Sequence, residues 1–182
     1  TILSCDLADE VVEFSEGFTN VKKDRCVLAH PVALMTGKVE NAAFQNYTVV
    51  FATGTCPIPE NVKFEEVAIM PLSVSTAAAS LSKDELLSLP LPKISPKKSG
   101  KALLVGGGSG SVGSQAVQLA TASGIDVVAT LSKRNFEYCK KLGADEVFDY
   151  NSPSPVGDLA AALQDDRVIG ACGDEKSRIY LE

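Results

Sequence analysis

Two parts of different character place this 182-residue chain in the α/β class, with a doubly wound parallel sheet preceded by a β-rich part. Three observations predict it. After Gly100, short apolar runs alternate with helical spacings. The glycine-rich stretch GGGSGSVG, residues 106–113, falls between the first of those runs and the first of those helices. Before Pro59, by contrast, apolar residues come in short runs bounded by glycine, asparagine or proline.

In the first part, residues 10–14 (EVVEF), 25–28 (RCVL) and 47–51 (YTVVF) concentrate β-branched and aromatic side chains between turn formers, and each predicts a strand. From Phe64 the spacing becomes helical: Phe64, Val67 and Ala68 mark a short segment ended by Pro71, and residues 73–81 are small and alanine-rich. Residues 89–100 (LPLPKISPKKSG) carry prolines and lysines that a helix interior does not hold, and they predict a surface connection. The change from sheet-rich to alternating sequence lies between Pro59 and Gly100.

Residues 101–105 read as a buried strand, running through the glycines into a helix with Val112, Ala116, Val117, Leu119 and Ala120 at helical spacing and Gly124 placed to end it. Residues 125–131 predict a second strand, 135–142 a second helix closed by Gly143, and 146–150 a third strand. A third helix over 155–163 has Pro155 in its first turn, where a missing N–H costs nothing. Such alternation specifies parallel strands joined by right-handed crossovers. The chain shows no internal repeat and no low-complexity tract.

Gly108-x-Gly110-x-x-Gly113 matches the dinucleotide fingerprint and lies where it must, between a buried strand and a helix start. Gly108 is expected to allow the tight turn, Gly110 to let a pyrophosphate reach the backbone amides, and Gly113 to let the helix pack on the strand. Ser111 and Val112 lie between them, where the positive helix end faces the phosphates. The end of the second strand selects the nucleotide. A carboxylate there accepts the ribose hydroxyls of NADH, but this chain has Ser132, Lys133 and Arg134, a hydroxyl and two cations suited to a 2′-phosphate. NADPH is the expected cofactor. Ser114 and Gln115 after Gly113 depart from the Gly-Lys-Ser/Thr of an ATPase loop, and a methyltransferase also wants an acid at the second strand end.

A formal net charge of −6, from 17 basic and 23 acidic residues, offers no field for nucleic acid or an anionic membrane. No apolar run approaches the ~20 residues of a membrane span, and the first residues lack a secretory layout, so a cytoplasmic setting is expected. The five cysteines are scattered and never spaced as Cys-x-x-Cys, which predicts reduced thiols and no bound metal. His30 is the single histidine, and no Gly-x-Ser-x-Gly elbow accompanies it.

The run 104–120, the segment LSKRNFEYCKKLGADEVFDYNSP and the connection PIPENVKFEEVAIMPLSVSTAAASL together resemble the zinc-independent branch of the medium-chain dehydrogenase/reductase superfamily, in particular its quinone-oxidoreductase-like enoyl reductases of fungal type. The resemblance covers about residues 1 to 170. It implies part of a GroES-like catalytic domain over residues 1–65, connecting helices and linker over 66–100, and the first half of a Rossmann nucleotide-binding domain over 101–182. It also implies hydride reduction of an activated carbon–carbon double bond or a quinone. The partners it implies are a small-molecule substrate and a polyketide synthase. By position, Gly108, Gly110, Val112 and Gly113 correspond to the pyrophosphate loop, and Ser132 and Lys133 to the 2′-phosphate site. Tyr150 corresponds to a wall near the adenosine and Thr76 to a residue beside the nicotinamide.

The chain also departs from that family. Ser4, Asp9, Ser15 and Lys23 stand where turn glycines are expected, each costing about 1 kcal/mol wherever a left-handed backbone is kept. Asp6 takes the place of a histidine in zinc-dependent relatives. The sequence begins inside the first domain and ends after the third strand-helix unit, which predicts a sheet whose first strand, 101–105, has one unpaired edge, through which a second copy of the chain is expected to pair unless the chain aggregates or binds its cofactor weakly. A catalytically silent remnant of the family is therefore the alternative to a working reductase. No catalytic acid is assigned: Tyr47 is a conceivable proton donor, but a tyrosine in a strand is usually a packing residue.

Overall fold

The computed structural model describes residues 3–16, 21–163 and 168–172, and the chain divides into two compact units, Thr1–Ser73 and Val74–Glu182. In the first unit, β1 (Leu7–Glu10), β2 (Cys26–Ala29) and β3 (Thr55–Pro57) form an antiparallel sheet in that order. Val27 and Ala29 of β2 are buried, as are Ala42, Ala43 and Ile58, while Cys26 is exposed and Leu28 half-buried. Two short helices, α1 (Ala33–Thr36) and α2 (Phe64–Val67), follow β2 and β3. The longer α3 (Pro71–Ser82) begins in this unit and runs into the next.

Two of the strands expected here differ. The first pairing strand lies earlier than residues 10–14, because Glu10 pairs with Cys26 and Asp24, at φ +61, turns the chain just beyond the ladder. Val12 and Phe14 are left exposed. Residues 47–51 are not a strand and join neither outer edge of the β1-β2-β3 sheet. Loop contacts hold them instead: the Val49 amide donates to the Glu40 carbonyl at 2.8 Å, and Asn41 Nδ2 donates to the Val49 carbonyl at 2.7 Å.

Of the four positions substituted for turn glycines, only Ser4 keeps a positive φ, +81°, and Asp24 rather than Lys23 carries the later left-handed turn. Asp6, the residue in the histidine position, is committed to structure: its carboxylate accepts the Leu72 amide at 2.7 Å in the first turn of α3. A carboxylate there satisfies an orphan donor and opposes the helix dipole. Asp6→Ala is expected to destabilise the chain by about 1 kcal/mol, with Asp6→Asn recovering part of that, as read from urea midpoints. Equal midpoints for wild type and the alanine variant would remove this role.

The second unit holds a four-stranded parallel sheet in the order β6-β5-β4-β7: β4 (Ala102–Gly106), β5 (Asp126–Leu131), β6 (Glu146–Asp149) and β7 (Val168–Cys172). Between them run α4 (Ser111–Ala122), α5 (Phe136–Lys141) and α6 (Pro155–Ala162). Alternate residues of the buried strands face opposite ways. Leu103, Val105, Val127, Ala129 and Leu131 pack with Ala116, Val117 and Ala120 of α4, Cys139 of α5, and Ala77 and Leu81 of α3. Leu104 and Val128 pack on the other face against Leu159 of α6. Helices therefore cover both faces, and burying each Leu or Val contributes about 1.5–3 kcal/mol.

β7 corrects the expectation of an open first strand. It pairs parallel with β4, Ala102 opposite Val168 and Val105 opposite Cys172, so β4 is hydrogen-bonded on both sides. The chain moves outward from β4 through β5 to β6, then crosses back to the other side of β4. That reversal makes the C-terminal end of β4 a topological switch point, where open α/β sheets bind ligands.

At the opposite end, Lys98 Nζ lies 2.5 Å from Asp126 Oδ1 and 3.2 Å from Asp145 Oδ1, and Asp145 Oδ2 accepts the Val127 amide at 2.8 Å. The connection at 89–100 is irregular, as its prolines predict, and is tied to the end of α4 by the Lys93 amide donating to the Ala122 carbonyl and the Ser99 amide to the Gly124 carbonyl. Among the described residues, no helix is long and apolar enough to cross a membrane.

Candidate nucleotide-binding site

The glycine-rich loop begins where β4 ends. Gly107 has φ +69, and the amides of Gly107 and Gly108 both donate to the Thr130 carbonyl, at 2.9 and 3.1 Å, which holds the turn against the end of β5. The sharp turn thus falls on Gly107, one residue before the position expected from the motif. Gly108 is needed for a different reason: a Cβ there would lie 2.9 Å from Ala129 Cβ and 3.0 Å from Cys139 Sγ. Burial pushes the Cys139 thiol above its usual range, so it is packing material beneath the loop rather than a nucleophile.

Gly110 is the N-cap of α4, with no side-chain cap, and leaves the first-turn amides of Ser111, Val112 and Gly113 facing the strand ends. The Val112 side chain packs against the core, so only its backbone is available to a ligand. Gly113 sits where nothing larger fits: a Cβ would fall 2.3 Å from the Gly107 carbonyl oxygen. A Cβ at Gly110 would lie 3.2 Å from the same oxygen. The loop and helix thus form a narrow cradle of backbone donors suited to a pyrophosphate.

The ends of β5 and β6 stand beside this cradle, since Gly106 pairs with Thr130 and Leu131 with Asp149. Ser132, extended at φ −65 and ψ 138, leads into a 3-10 turn, Lys133–Asn135. Lys133 and Arg134 are exposed, and neither makes an ion pair among the described residues. The Ser132 hydroxyl is hydrogen-bonded to the Tyr150 hydroxyl, which projects from the end of β6. Two cations, a hydroxyl pair and an aromatic ring are thereby gathered on one side of the glycine loop. Thr76 lies elsewhere in the unit, on the exposed side of α3.

One connection has no sequence motif behind it. Asn135 Nδ2 donates to Ser109 Oγ at 3.0 Å, tying the start of the second helix to the middle of the glycine loop. No spacing rule marks either residue. Among the described residues no three of His, Cys, Asp and Glu come together as a group that could hold a metal ion.

A switch-point cradle of glycines and helix amides, flanked by cations at the neighbouring strand end, defines a dinucleotide-binding α/β domain of the dehydrogenase kind. Residues 111–178 match the zinc-binding dehydrogenase family. The chain is 42% identical over 171 residues to the trans-enoyl reductase himH of Aspergillus japonicus, covering 94% of this chain and 49% of that protein. An alcohol dehydrogenase superfamily protein from Novosphingobium aromaticivorans superposes with a TM-score of 0.70 at 25% identity, covering 90% of this chain and 44% of the other. A mycobacterial protein crystallised with NADPH superposes at 0.62 with 24% identity, covering 87% of this chain and 45% of the other, a likeness of fold. The chain belongs to the medium-chain dehydrogenase/reductase superfamily, and it spans about half the length of the curated relatives it matches.

Proposed function

We propose that this chain binds NADPH and contributes to the reduction of an activated carbon–carbon double bond or a quinone. The observation that carries this reading is the Ser132, Lys133 and Arg134 end of β5 beside the glycine cradle. When bound, the cofactor supplies the hydride. The chain's own residues do the holding. The first-turn amides of Ser111, Val112 and Gly113 and the bare backbone at Gly108 and Gly110 receive the pyrophosphate. Lys133 and Arg134 neutralise the 2′-phosphate with the Ser132 hydroxyl beside them, and Tyr150 walls the adenosine side. Thr76 belongs beside the nicotinamide ring in this reading, and no residue is given the role of proton donor.

The likeness to a protein named trans-enoyl reductase supports an enoyl-type small-molecule substrate, and service to a polyketide synthase rests on the family resemblance of the sequence alone. The three-stranded first unit takes the part of a GroES-like domain, and the commitment of Asp6 to α3 favours chemistry without zinc. A cytoplasmic setting completes the reading. The test is NADPH consumption by the purified chain against a panel of quinones and α,β-unsaturated thioesters, with a parallel NADPH titration. Turnover with one class establishes the reaction and the substrate. Saturable binding without turnover on any of them favours a silent nucleotide-binding remnant, and no binding at all overturns both.

A further inference from the structure

We propose that Ser95 is a phosphorylation site for a proline-directed protein kinase, and that the phosphate placed there draws Lys98 away from Asp126 and Asp145. This goes beyond the dinucleotide reading and does not depend on it. Ser95-Pro96-Lys97-Lys98 lies in the irregular connection that leads into β4, where Ile94, Ser95, Lys97 and Lys98 are all exposed. The Ser95 hydroxyl has no hydrogen bond among the described residues. Proline at the next position keeps the serine backbone out of the helical region and presents no N–H that a kinase pocket would have to satisfy. Lysine at the third place beyond the serine gives an anionic recognition pocket its ionic partner. The same dipeptide occurs twice more, at Ser152-Pro153 and Ser154-Pro155, without these features. The Ser152 hydroxyl donates to Asp158 Oδ2 at 2.7 Å, Ser154 is the N-cap of α6, and no basic residue lies within three places beyond either.

In the transfer, Ser95 Oγ forms a bond to the γ-phosphorus of the ATP that the kinase brings, and the bond from that phosphorus to the β,γ-bridging oxygen breaks. ADP leaves, and the hydroxyl proton passes to the kinase's base. The phosphoserine carries a charge of about −1.5 to −2 at pH 7 and three acceptor oxygens. At most about 11 Å of backbone separates Ser95 from Lys98, within the joint reach of a phosphoserine and a lysine side chain. Lys97, exposed and outside any ion pair among the described residues, meets the same phosphate. Lys98 has more to give up. Its Nζ lies 2.5 Å from Asp126 Oδ1 and 3.2 Å from Asp145 Oδ1, but its side chain is 56% exposed, so water screens this clasp and a competitor can enter. The clasp fastens the connection to the base of the sheet beside Ser99, whose amide donates to the Gly124 carbonyl at 2.9 Å. A phosphate that takes Lys98 therefore loosens the strap at Ser99.

The experiment incubates the native full chain with a cyclin-dependent kinase and ATP, and locates the added phosphate by peptide mass. Stoichiometric phosphate at Ser95 is expected, lost in Ser95→Ala and in Pro96→Ala and kept in Ser152→Ala and Ser154→Ala. Ser95 is exposed and unbonded, so a wild-type thermal midpoint for Ser95→Ala keeps the comparison independent of folding. No phosphate on the native chain, or incorporation undiminished in Ser95→Ala, would overturn the site. Amide hydrogen exchange then reads the consequence. Phosphorylation is expected to speed exchange at the Ser99 amide by about 2- to 5-fold, the range an exposed ion pair can hold, and unmodified Lys98→Gln, which opens the clasp directly, should match it. Unchanged exchange in either chain would overturn the release of Lys98.

Discussion

Gly113→Ala is expected to abolish measurable dinucleotide binding and to destabilise the second unit by about 2–3 kcal/mol, toward the upper end of overpacking costs. The added methyl would sit 2.3 Å from the Gly107 carbonyl oxygen and 2.9 Å from its carbonyl carbon. Both are backbone atoms of a turn held at Thr130, so no side chain can swing aside. Relief requires α4 to move off the loop, and that movement disperses the first-turn amides that face the ligand. Gly37 provides the contrast, since nothing lies within 4 Å of a Cβ there and its positive φ alone sets the cost. Urea unfolding and an NADPH titration read the two effects. A Gly113→Ala chain with wild-type stability and affinity would mean that the helix does not pack on the loop as described.

Lys133→Glu is expected to invert the cofactor preference. Removing a cation from a 2′-phosphate costs about 1.5–3 kcal/mol, and the glutamate adds repulsion, so NADPH should weaken by at least 10-fold. NADH lacks that phosphate and offers ribose hydroxyls to the new carboxylate, so its affinity should hold or rise. Lys133 is exposed and has no ionic partner among the described residues, so the substitution removes nothing the fold relies on. The wild-type preference should shrink as salt is added, because an exposed pair is screened. Equal NADPH and NADH affinities in both chains would remove Lys133 from the site.

The second unit was legible because its elements announce themselves locally. Residues 102–105 are a fully buried run beside glycines, and Gly124 and Gly143, both at positive φ, end the turns where the helical spacing stops. β7 was not legible: VIGAC is short, carries a glycine, and is identified as a strand by the vacant side of β4 rather than by its own composition. The opposite error occurred at 47–51, where the composition is that of a strand but loop hydrogen bonds to Glu40 and Asn41 take the backbone groups of Val49. The glycine motif announced a cradle but not its division of labour, since spacing does not say that Gly107 turns while Gly108 makes room for Cys139. Ser109 and Asn135 were invisible for the same reason that β7 was. Their relation exists only after two loops distant in sequence have been brought together.

Cys139 gives the chain an internal clock. Its sulfur lies directly under Gly108 and is wholly buried, whereas Cys26 and Cys56 stand in solvent. A reagent that alkylates thiols meets Cys26 and Cys56 at once but must wait for the packing around Cys139 to open before it can reach that sulfur. Modification there is paced by local opening of the core rather than by the reagent. Whatever tightens the packing of α5 on the sheet lengthens the wait.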